Sequence, residues 1–219
     1  MLIGVVADTH VGEFLTRVPD AALDALSGCD LLLHAGDLSV PSVLEELSGI
    51  APTLAVRGDH DRLEGLGLPH VLVVGVAGHR IGLVHGNRGR LVDGAVVAAD
   101  VVAGRHLGWT AGLDAGLLRR VGSVDLLVHG HWHRPRMTRM GGTVVFSPGA
   151  VCPWGSLEGG RPPRPGRAGV ADRGVRRYRH QLGADALRPA VGLIEAGTAG
   201  LRPRRVPLPR DATAAVCAP

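Results

Sequence analysis

Three histidines alternate within the segment LVHGHWHR, residues 127–134: His129, His131 and His133. If this segment is an extended strand, alternate side chains lie on one face of it. Three imidazoles on one face each need a polar partner, because burying an unpaired polar group is unfavourable. The spacing alone leaves open metal ligation, a pH-sensitive patch or a chance repeat.

Further carboxylates and imidazoles follow other apolar runs that we predict to be strands. The runs are 2–10, 30–37, 53–61, a hairpin over 70–86 that turns at Ala77–Gly78, and 124–131. In open α/β sheets, ligands bind in the crevice beyond the carboxyl ends of the strands. The side chains at these ends are therefore expected to meet in one pocket: Asp8, His10, Asp37, Asp59, His85, His131 and His133.

Mixed carboxylate and imidazole donors suit divalent metals such as Zn, Mn and Fe. Seven candidate ligands are too many for one tetrahedral site,. The residue types therefore predict two metal ions, a common arrangement in hydrolytic enzymes.

The elements between these strands position the site. We predict helices over 19–28 and over 42–49, the second with a capping box formed by Ser42 and Glu45,. Further helices are expected near 92–102 and over 115–123, with a strand over 143–150 and a closing hairpin over 191–208. Strands that alternate with helices indicate a parallel sheet, and the hairpins add antiparallel strands, so we expect mixed sheets.

Composition narrows the class of protein. All 24 basic residues are Arg, and the net charge of +4 favours anionic substrates only mildly,. No apolar run approaches the roughly 20 residues of a membrane-spanning helix, and the first residues lack a signal peptide's basic start,. We therefore predict a cytoplasmic protein without membrane association, whose three cysteines are reduced thiols,. No zinc-finger spacing, P-loop or dinucleotide fingerprint is found.

The ordered series DTH, GD, RGDHD, VHG, GHWH and SPGA resembles the calcineurin-like metallophosphoesterase superfamily, in particular its small bacterial and archaeal phosphodiesterase branch. The resemblance covers residues 1–152 and 189–208. It implies a four-layer α/β/β/α sandwich of two mixed β-sheets flanked by helices. It also implies a single domain over 1–219, with insertions at about 87–112 and 153–188 and a flexible tail at 211–219.

Carried over residue by residue, the resemblance assigns each candidate a role. Asp8, His10 and His133 would bind a first metal, and Asp59, His85 and His131 a second, with Asp37 bridging both. The metals would be manganese, with iron, zinc or nickel as alternatives. The proposed catalytic residues are His60, which would assist the leaving group beside the phosphate, and Asp61, which would orient it. Residues 147–150 would form a supporting loop.

The activity that the resemblance implies is phosphoester hydrolysis, most specifically of phosphodiesters, by a metal-bridging hydroxide. A phosphomonoesterase or a nucleotide pyrophosphatase would use the same ligands, and a non-catalytic interaction scaffold shares the fold. The expected partner is a phosphoester small molecule or nucleotide, and a homo-oligomer is left open. Nucleic-acid binding through the Arg-rich segment 161–179 is not favoured, because only Tyr178 interleaves with its basic residues,.

Two positions depart from the family pattern. Asp59 stands where the family usually has Asn, and we expect its extra charge to bind the second metal more tightly, unless it is protonated or bonded to Arg57. Trp132 replaces a small residue, and either edges the pocket or packs in the core. His129 and His34 lie outside the motifs, so we assign them structural roles,.

Overall fold

The computed structural model describes residues 1–61, 67–103, 112–152, 185 and 188–217. Its first sheet has five strands in the order β10-β9-β1-β2-β3, and its second has the order β4-β5-β6-β8-β7. The strands of the first sheet are β1 (Leu2–Val6), β2 (Leu31–His34), β3 (Thr53–Ala55), β9 (Ala190–Gly197) and β10 (Gly200–Pro207). Those of the second are β4 (Val71–Val76), β5 (His79–Val84), β6 (Leu126–His129), β7 (Pro135–Met140) and β8 (Thr143–Pro148).

Both sheets are mixed, as the sequence predicted. β1, β2 and β3 are parallel, and β9 and β10 add antiparallel strands at one edge. In the second sheet β5, β6 and β8 are parallel, whereas β4 and β7 are antiparallel to their neighbours. The carboxyl ends of the parallel strands in both sheets carry the predicted site residues, which is where a ligand site is expected.

Helices cover the outer faces of the two sheets. α1 (Asp20–Leu26) and α2 (Ser42–Ser48) pack through Leu26 and Leu47 on one face of the first sheet. α4 (Leu113–Val121) packs on the outer face of the second sheet, and α3 (Arg90–Ala103) joins the same apolar cluster. A central cluster fills the space between the sheets, where Phe146 contacts the Cα side of Gly192. The expected four-layer α/β/β/α sandwich is therefore confirmed.

The structure corrects several local predictions. Ser42 is the first residue of α2, Pro41 precedes it as the N-cap, and no side-chain capping bond forms, so the predicted capping box is wrong. β7 was not predicted, because a segment that begins with Pro and alternates Arg with Met lacks the apolar run of a buried strand,. The predicted hairpins over 70–86 and 191–208 and the helix near 92–102 are present.

Of the segment 211–219, expected to be a flexible tail, the structure describes residues 211–217, of which Cys217 is exposed. Val216 is buried, and its carbonyl accepts a 2.7 Å hydrogen bond from the backbone N–H of Thr16. The insertion predicted at 153–188, including its Arg-rich segment and possible helix, lies almost entirely outside the described residues. None of the helices in the described ranges is long and apolar enough to cross a membrane.

Candidate metal centre

The parallel strands end earlier than the sequence predicted, and the candidate ligands lie on the loops that follow. β1 ends at Val6, β2 at His34 and β6 at His129. Left-handed backbone occurs at five of the seven predicted ligands: Asp8 (φ 53°), His10 (49°), Asp37 (59°), His131 (71°) and His133 (53°). A non-glycine residue in this region costs about 1–3 kcal/mol, and such strain concentrates at functional sites.

This backbone geometry answers the opening question about the three alternating histidines. Only His129 belongs to the strand, so the expectation of one shared strand face is wrong. The left-handed φ angles at His131 and His133 redirect their side chains into two different clusters. His129 is buried instead and donates its Nδ1–H to the carbonyl of Gly130 at 3.1 Å, which fits the predicted structural role.

The first cluster, here called cluster one, contains Asp8, His10, Asp37 and His133, with ligand atoms all within 4.8 Å of one another. The Nε2 atoms of His10 and His133 are 3.2 Å apart, and His133 Nε2 lies 3.6 Å from Asp8 Oδ1. Asp8 and Asp37 are almost fully buried. The structure thus brings together all four residues that the resemblance assigned to the first metal and its bridge.

The second cluster, cluster two, contains Asp59, His85 and His131 within the same distance limit. His131 Nδ1 lies 3.3 Å from His85 Nε2 and 3.6 Å from Asp59 Oδ2. His85 is buried, whereas the Asp59 side chain is 37% exposed. These are the three residues assigned to the second metal, so all seven predicted ligands converge in two adjoining groups.

Asp37 joins the two clusters. Its Oδ2 atom lies 3.7 Å from Nε2 of His10 in cluster one and 3.3 Å from Nε2 of His85 in cluster two. Its other oxygen, Oδ1, accepts a 2.9 Å hydrogen bond from the backbone N–H of His60. Burial opposes ionisation of Asp37, but the hydrogen bond and charge of His85 outweigh it and lower the pKa of Asp37. Asp37 therefore lies between the two clusters, with one oxygen atom near a histidine of each.

The tautomers implied by the outer hydrogen bonds direct imidazole lone pairs inward. His85 Nδ1 donates to the carbonyl of Ala35 at 2.8 Å, and the outer nitrogens of His10 and His131 face carboxylates at 3.2 and 3.1 Å. The second nitrogen of each ring, which carries the lone pair in these tautomers, then lies on the side of Asp37 or Asp59. Lone pairs that face carboxylates repel unless a cation or an added proton lies between them.

The donor set therefore fits divalent cations of the borderline class. Burial lowers the pKa of His85, but the hydrogen bond and charge of Asp37 raise it to about 9. Burial raises the pKa of Asp8 well above its usual value, against the opposing charge of His85. Asp8 and Asp37 are thus two carboxylates buried beside these imidazoles, and bound cations would neutralise their charge.

Backbone groups hold the carboxylates in place. The N–H of His131 donates to both oxygens of Asp8 at 3.0 and 3.1 Å, so the loop after β6 orients a ligand of the other sheet. A Cβ atom at Gly130 would lie 2.8 Å from Asp8 Oδ2, and one at Gly58 would lie 2.2 Å from Asp37 Oδ1. These two glycines allow the backbone to approach the carboxylates closely.

The hydrogen bonds of Asp61 connect it to the backbone of the neighbouring loops. Its carboxylate accepts hydrogen bonds from the backbone N–H groups of Gly58 (2.7 Å), Ser39 (2.8 Å) and Asp37 (3.1 Å). Asp61 is buried and therefore fixes the loops that carry Asp37 and His60. The carboxylate on the His60 ring is that of Glu13, whose Oε2 lies 2.8 Å from His60 Nδ1.

Three polar residues of the site were missed from the sequence: Glu13, Asn87 and Asp93. Glu13 bonds His10 and His60, Asp93 on α3 bonds His131, and Asn87 donates to Asp59 Oδ1 at 2.5 Å. Asn87 is the chain's one Asn and follows His85-Gly86, and Asp93 interrupts an apolar helix. The rare Asn and the isolated carboxylate in an apolar helix were the sequence signals that could have identified these two residues. Asn87, and not Arg57, is thus the donor that the structure shows on Asp59.

The remaining predicted residues take supporting positions. Ser147 lies inside β8. The residues that follow β8 contact the loop after β1, because the N–H groups of Val151 and Cys152 donate to the carbonyls of Ala7 and Asp8, both at 3.0 Å. Trp132 is 8% exposed and packs in the core of the second sheet, with the Arg88 guanidinium 5.4 Å from its ring. Of the two readings left open for Trp132, the structure supports packing.

Comparison with known proteins agrees with this geometry. Residues 1–163 match the family model of the calcineurin-like phosphoesterase superfamily domain. The chain belongs to this superfamily. Two archaeal relatives are each called a probable metallophosphoesterase. The one from Methanothermobacter thermautotrophicus is 34% identical over 150 residues, 68% of this chain and 77% of that protein. The one from Methanocaldococcus jannaschii is 31% identical over 161 residues, 72% and 73% respectively.

Solved structures share the fold of this metallophosphoesterase at low sequence identity. Vps29 of Entamoeba histolytica complexed with Zn²⁺ has a TM-score of 0.60 at 21% identity, covering 94% of this chain and 99% of that one. A structure described as a novel archaeal phosphodiesterase has a TM-score of 0.53 at 16% identity, covering 94% and 100%. The family match and the two archaeal relatives confirm the sequence-based recognition of the family, and the solved structures share the fold over 94% of the chain.

Proposed function

We propose that this metallophosphoesterase is a two-metal-dependent phosphodiesterase. The observation that carries the proposal is the position of Asp37, whose Oδ2 atom faces His10 of cluster one and His85 of cluster two at 3.7 and 3.3 Å. One carboxylate shared by two groups of inward-facing donors is an arrangement suited to a pair of cations,. Cluster one would hold the first ion and cluster two the second.

Divalent cations bound there would acidify a water molecule and neutralise charge on the phosphate. Among the residues of the chain, Asp8, Asp37 and Asp59 would supply the negative charge that retains them. Carboxylate and imidazole donors suit manganese, with iron, zinc or nickel as alternatives. We favour manganese because all seven donors are carboxylate oxygen or imidazole nitrogen atoms and three of the residues are carboxylates,.

His60 is the group of the chain that would act on the leaving oxygen. Its side chain is 48% exposed, and its backbone N–H is tied to Asp37 Oδ1, so the ring stands at the rim of the site beside the shared carboxylate. With Nδ1 held by Glu13, Nε2 is the nitrogen left to donate a proton,. The preference for diesters over monoesters rests on the resemblance of the motif set to the small phosphodiesterase branch.

Hydrolysis of bis-p-nitrophenyl phosphate and p-nitrophenyl phosphate, measured side by side, tests the proposal. Metal-stripped protein would receive Mn, Ni, Zn or Mg, and His60→Ala would be compared with the matched control His70→Ala, which changes an exposed histidine outside the site. We expect metal-dependent turnover of the diester that is lower in His60→Ala than in the wild type and is retained in His70→Ala.

Two results would change the conclusion. Faster turnover of the monoester would assign a phosphatase, or a nucleotide pyrophosphatase if a nucleotide diphosphate were the better substrate. Absence of turnover with every metal, despite two bound ions per chain, would favour an interaction scaffold that keeps the metal centre.

A further inference from the structure

Glu13 lies outside every motif that carries the family resemblance, yet its carboxylate contacts two histidines of the site. A single atom, Oε2, lies 3.2 Å from Nδ1 of His10 and 2.8 Å from Nδ1 of His60. The two rings meet edge to face, with their centroids 4.8 Å apart. Glu13 thus links a predicted metal ligand to the predicted acid of the reaction.

The loop after β1 places Glu13 there. The backbone N–H groups of Glu13, Phe14 and Leu15 all donate to the carbonyl of His10, at 3.2, 3.0 and 3.3 Å. This tight turn returns the chain towards His10, so that the Glu13 side chain reaches its ring. The Glu13 side chain is 26% exposed, which leaves it partly shielded from water and close to the substrate side.

We propose that Glu13 is a positioning residue that fixes the His60 ring with Nε2 towards the leaving oxygen of the substrate. This inference rests on the proposed function. His60 is held at its backbone by Asp37 Oδ1, but about half of its side chain faces solvent. Without the Glu13 bond, the ring would be free to rotate about its side-chain torsions. Asp61, the residue first expected to do this, is committed to backbone N–H groups.

The chemical step identifies which substrates depend on this positioning. Water loses a proton as its oxygen forms a new P–O bond, the P–O bond to the leaving group breaks, and its electron pair stays on the leaving oxygen. In this step His60 reacts with protons on both nitrogens: Nε2 gives its proton to the leaving oxygen, Nδ1–H stays on Glu13, and the ring regains the proton that the water released,. An acidic phenol leaves readily as its anion, whereas a weakly acidic phenol or an alcohol needs the proton. Glu13 should therefore matter in proportion to how poor the leaving group is.

The experiment compares aryl phosphodiesters whose phenols range from p-nitrophenol to unsubstituted phenol, at saturating metal. Glu13→Ala and Glu13→Gln are tested beside His60→Ala and the control Asp24→Ala, an exposed acidic residue on α1. We expect Glu13→Ala to lower kcat for the phenyl ester by about 10–100-fold, with KM nearly unchanged. The p-nitrophenyl ester should lose less than about 3-fold. Glu13→Gln keeps an acceptor oxygen and should recover most of the rate.

A second measurement is independent of turnover. In the Zn-loaded protein, ¹⁵N NMR of the imidazoles reports which nitrogen of His60 carries the proton, and we expect Glu13→Ala to remove the Nδ1–H signature. Bound metal, measured by elemental analysis, should stay at the wild-type level at saturation.

These measurements separate failure of this inference from failure of the proposed function. An unchanged His60 NMR signature in Glu13→Ala would overturn the positioning role. An equal loss of rate on all esters, together with loss of metal, would also overturn it, because Glu13 would then act through His10 alone. A wild-type protein inactive on every ester would count against the proposed function, while the NMR result would still decide whether Glu13 holds His60.

Discussion

Clusters one and two are built on a common plan. Each takes ligands from both sheets: His133 joins the first-sheet loops in cluster one, and Asp59 joins His85 and His131 of the second sheet in cluster two. Each contains a histidine whose outer nitrogen faces a carboxylate, Glu13 at His10 and Asp93 at His131. Such outer carboxylates orient a ligand ring and raise its basicity.

The clusters differ in what encloses them. The carboxylates of cluster one, Asp8 and Asp37, are buried and held by backbone N–H groups of the sandwich itself. Cluster two is more open at Asp59, and the residues that complete it, Asn87 and Asp93, come from the segment between β5 and α4 that contains α3. The loops of the two sheets therefore build cluster one, whereas a segment outside the sheets completes cluster two, so we expect cluster two to bind its ion more weakly.

The strongest test of the comparison removes the residue common to both clusters. Asp37→Ala should abolish metal binding at both clusters and lower kcat/KM by more than about 100-fold. Removal of even an outer partner of a metal ligand lowers metal affinity or activity by about 10–100-fold. Elemental analysis and bis-p-nitrophenyl phosphate turnover are the measurements. Asp24→Ala is the control, and retention of one tightly bound ion in Asp37→Ala would show that the clusters do not share this ligand.

Asp93→Asn should affect cluster two alone. Burial raises the pKa of Asp93, but its bond with His131 outweighs this and lowers the pKa to about 2, so the carboxylate is ionised where it meets the ring. The amide removes that charge, and we expect affinity for the second ion to fall by about 10-fold or more while the first ion stays bound. Metal titration by calorimetry would resolve the two sites. An equal loss of affinity at both would show that Asp93 does not act on cluster two alone.

Asp59→Asn addresses the departure from the family pattern. Asp59 Oδ1 accepts a hydrogen bond from Asn87 and Oδ2 faces His131, and the amide keeps one of these two oxygens. Removing one negative charge from this partly exposed position should lower the affinity for the second metal ion by less than about 10-fold. It should also speed turnover of an anionic phosphate ester. If metal content and turnover both stay unchanged, the electrostatic reading of Asp59 is wrong.

The smallest effect concerns the buried histidines behind each cluster. His34 lies behind cluster one, bonded to Thr9 and the N–H of Gly36, and His129 lies behind cluster two. Burial lowers the pKa of His34 to about 3 and that of His129 to about 4. Unfolded histidine has a pKa of about 6.5, so the unfolded chain takes up protons first, and stability should fall as the pH drops from about 6.5 to 4.

Urea denaturation of the chelated protein between pH 7 and pH 4 measures this loss. His34→Gln and His129→Gln should each flatten the decline, and His70→Gln, at an exposed position, should not. A decline of the same steepness in all three variants would assign the pH dependence to other groups. Because His129 Nε2 has no hydrogen-bond partner among the described atoms, its substitution should also cost less stability at pH 7 than that of His34,.

The ligand set could be predicted from the sequence because it depends on residue type and order. Strand ends collect in one crevice whatever their separation, so Asp8 and His133 meet although they are 125 positions apart in the sequence,. The alternation of strands and helices likewise indicated mixed sheets. These features follow from periodicity and topology, which local sequence encodes.

Other features depend on side-chain geometry that no local pattern fixes. Glu13 lies on a tight turn and contacts His60, and Asp93 lies on α3 and contacts His131. The strands stop short because Asp8 and His131 adopt left-handed backbone, a conformation unfavourable for these residues in isolation and imposed by tertiary contacts,. Trp132 was ambiguous for the same reason, since only packing decides which side of a loop a ring occupies.

The docking of the chain's last described residues has a practical consequence for anyone who produces this protein. Val216 accepts hydrogen bonds from both the backbone N–H and the hydroxyl of Thr16, only three positions beyond Glu13. An affinity tag or a protease cut near residue 211 would therefore disturb the loop that holds His10 and Glu13. Met1 directly precedes β1, at the end of this strand that is opposite to the site, and is the safer point of attachment for a tag.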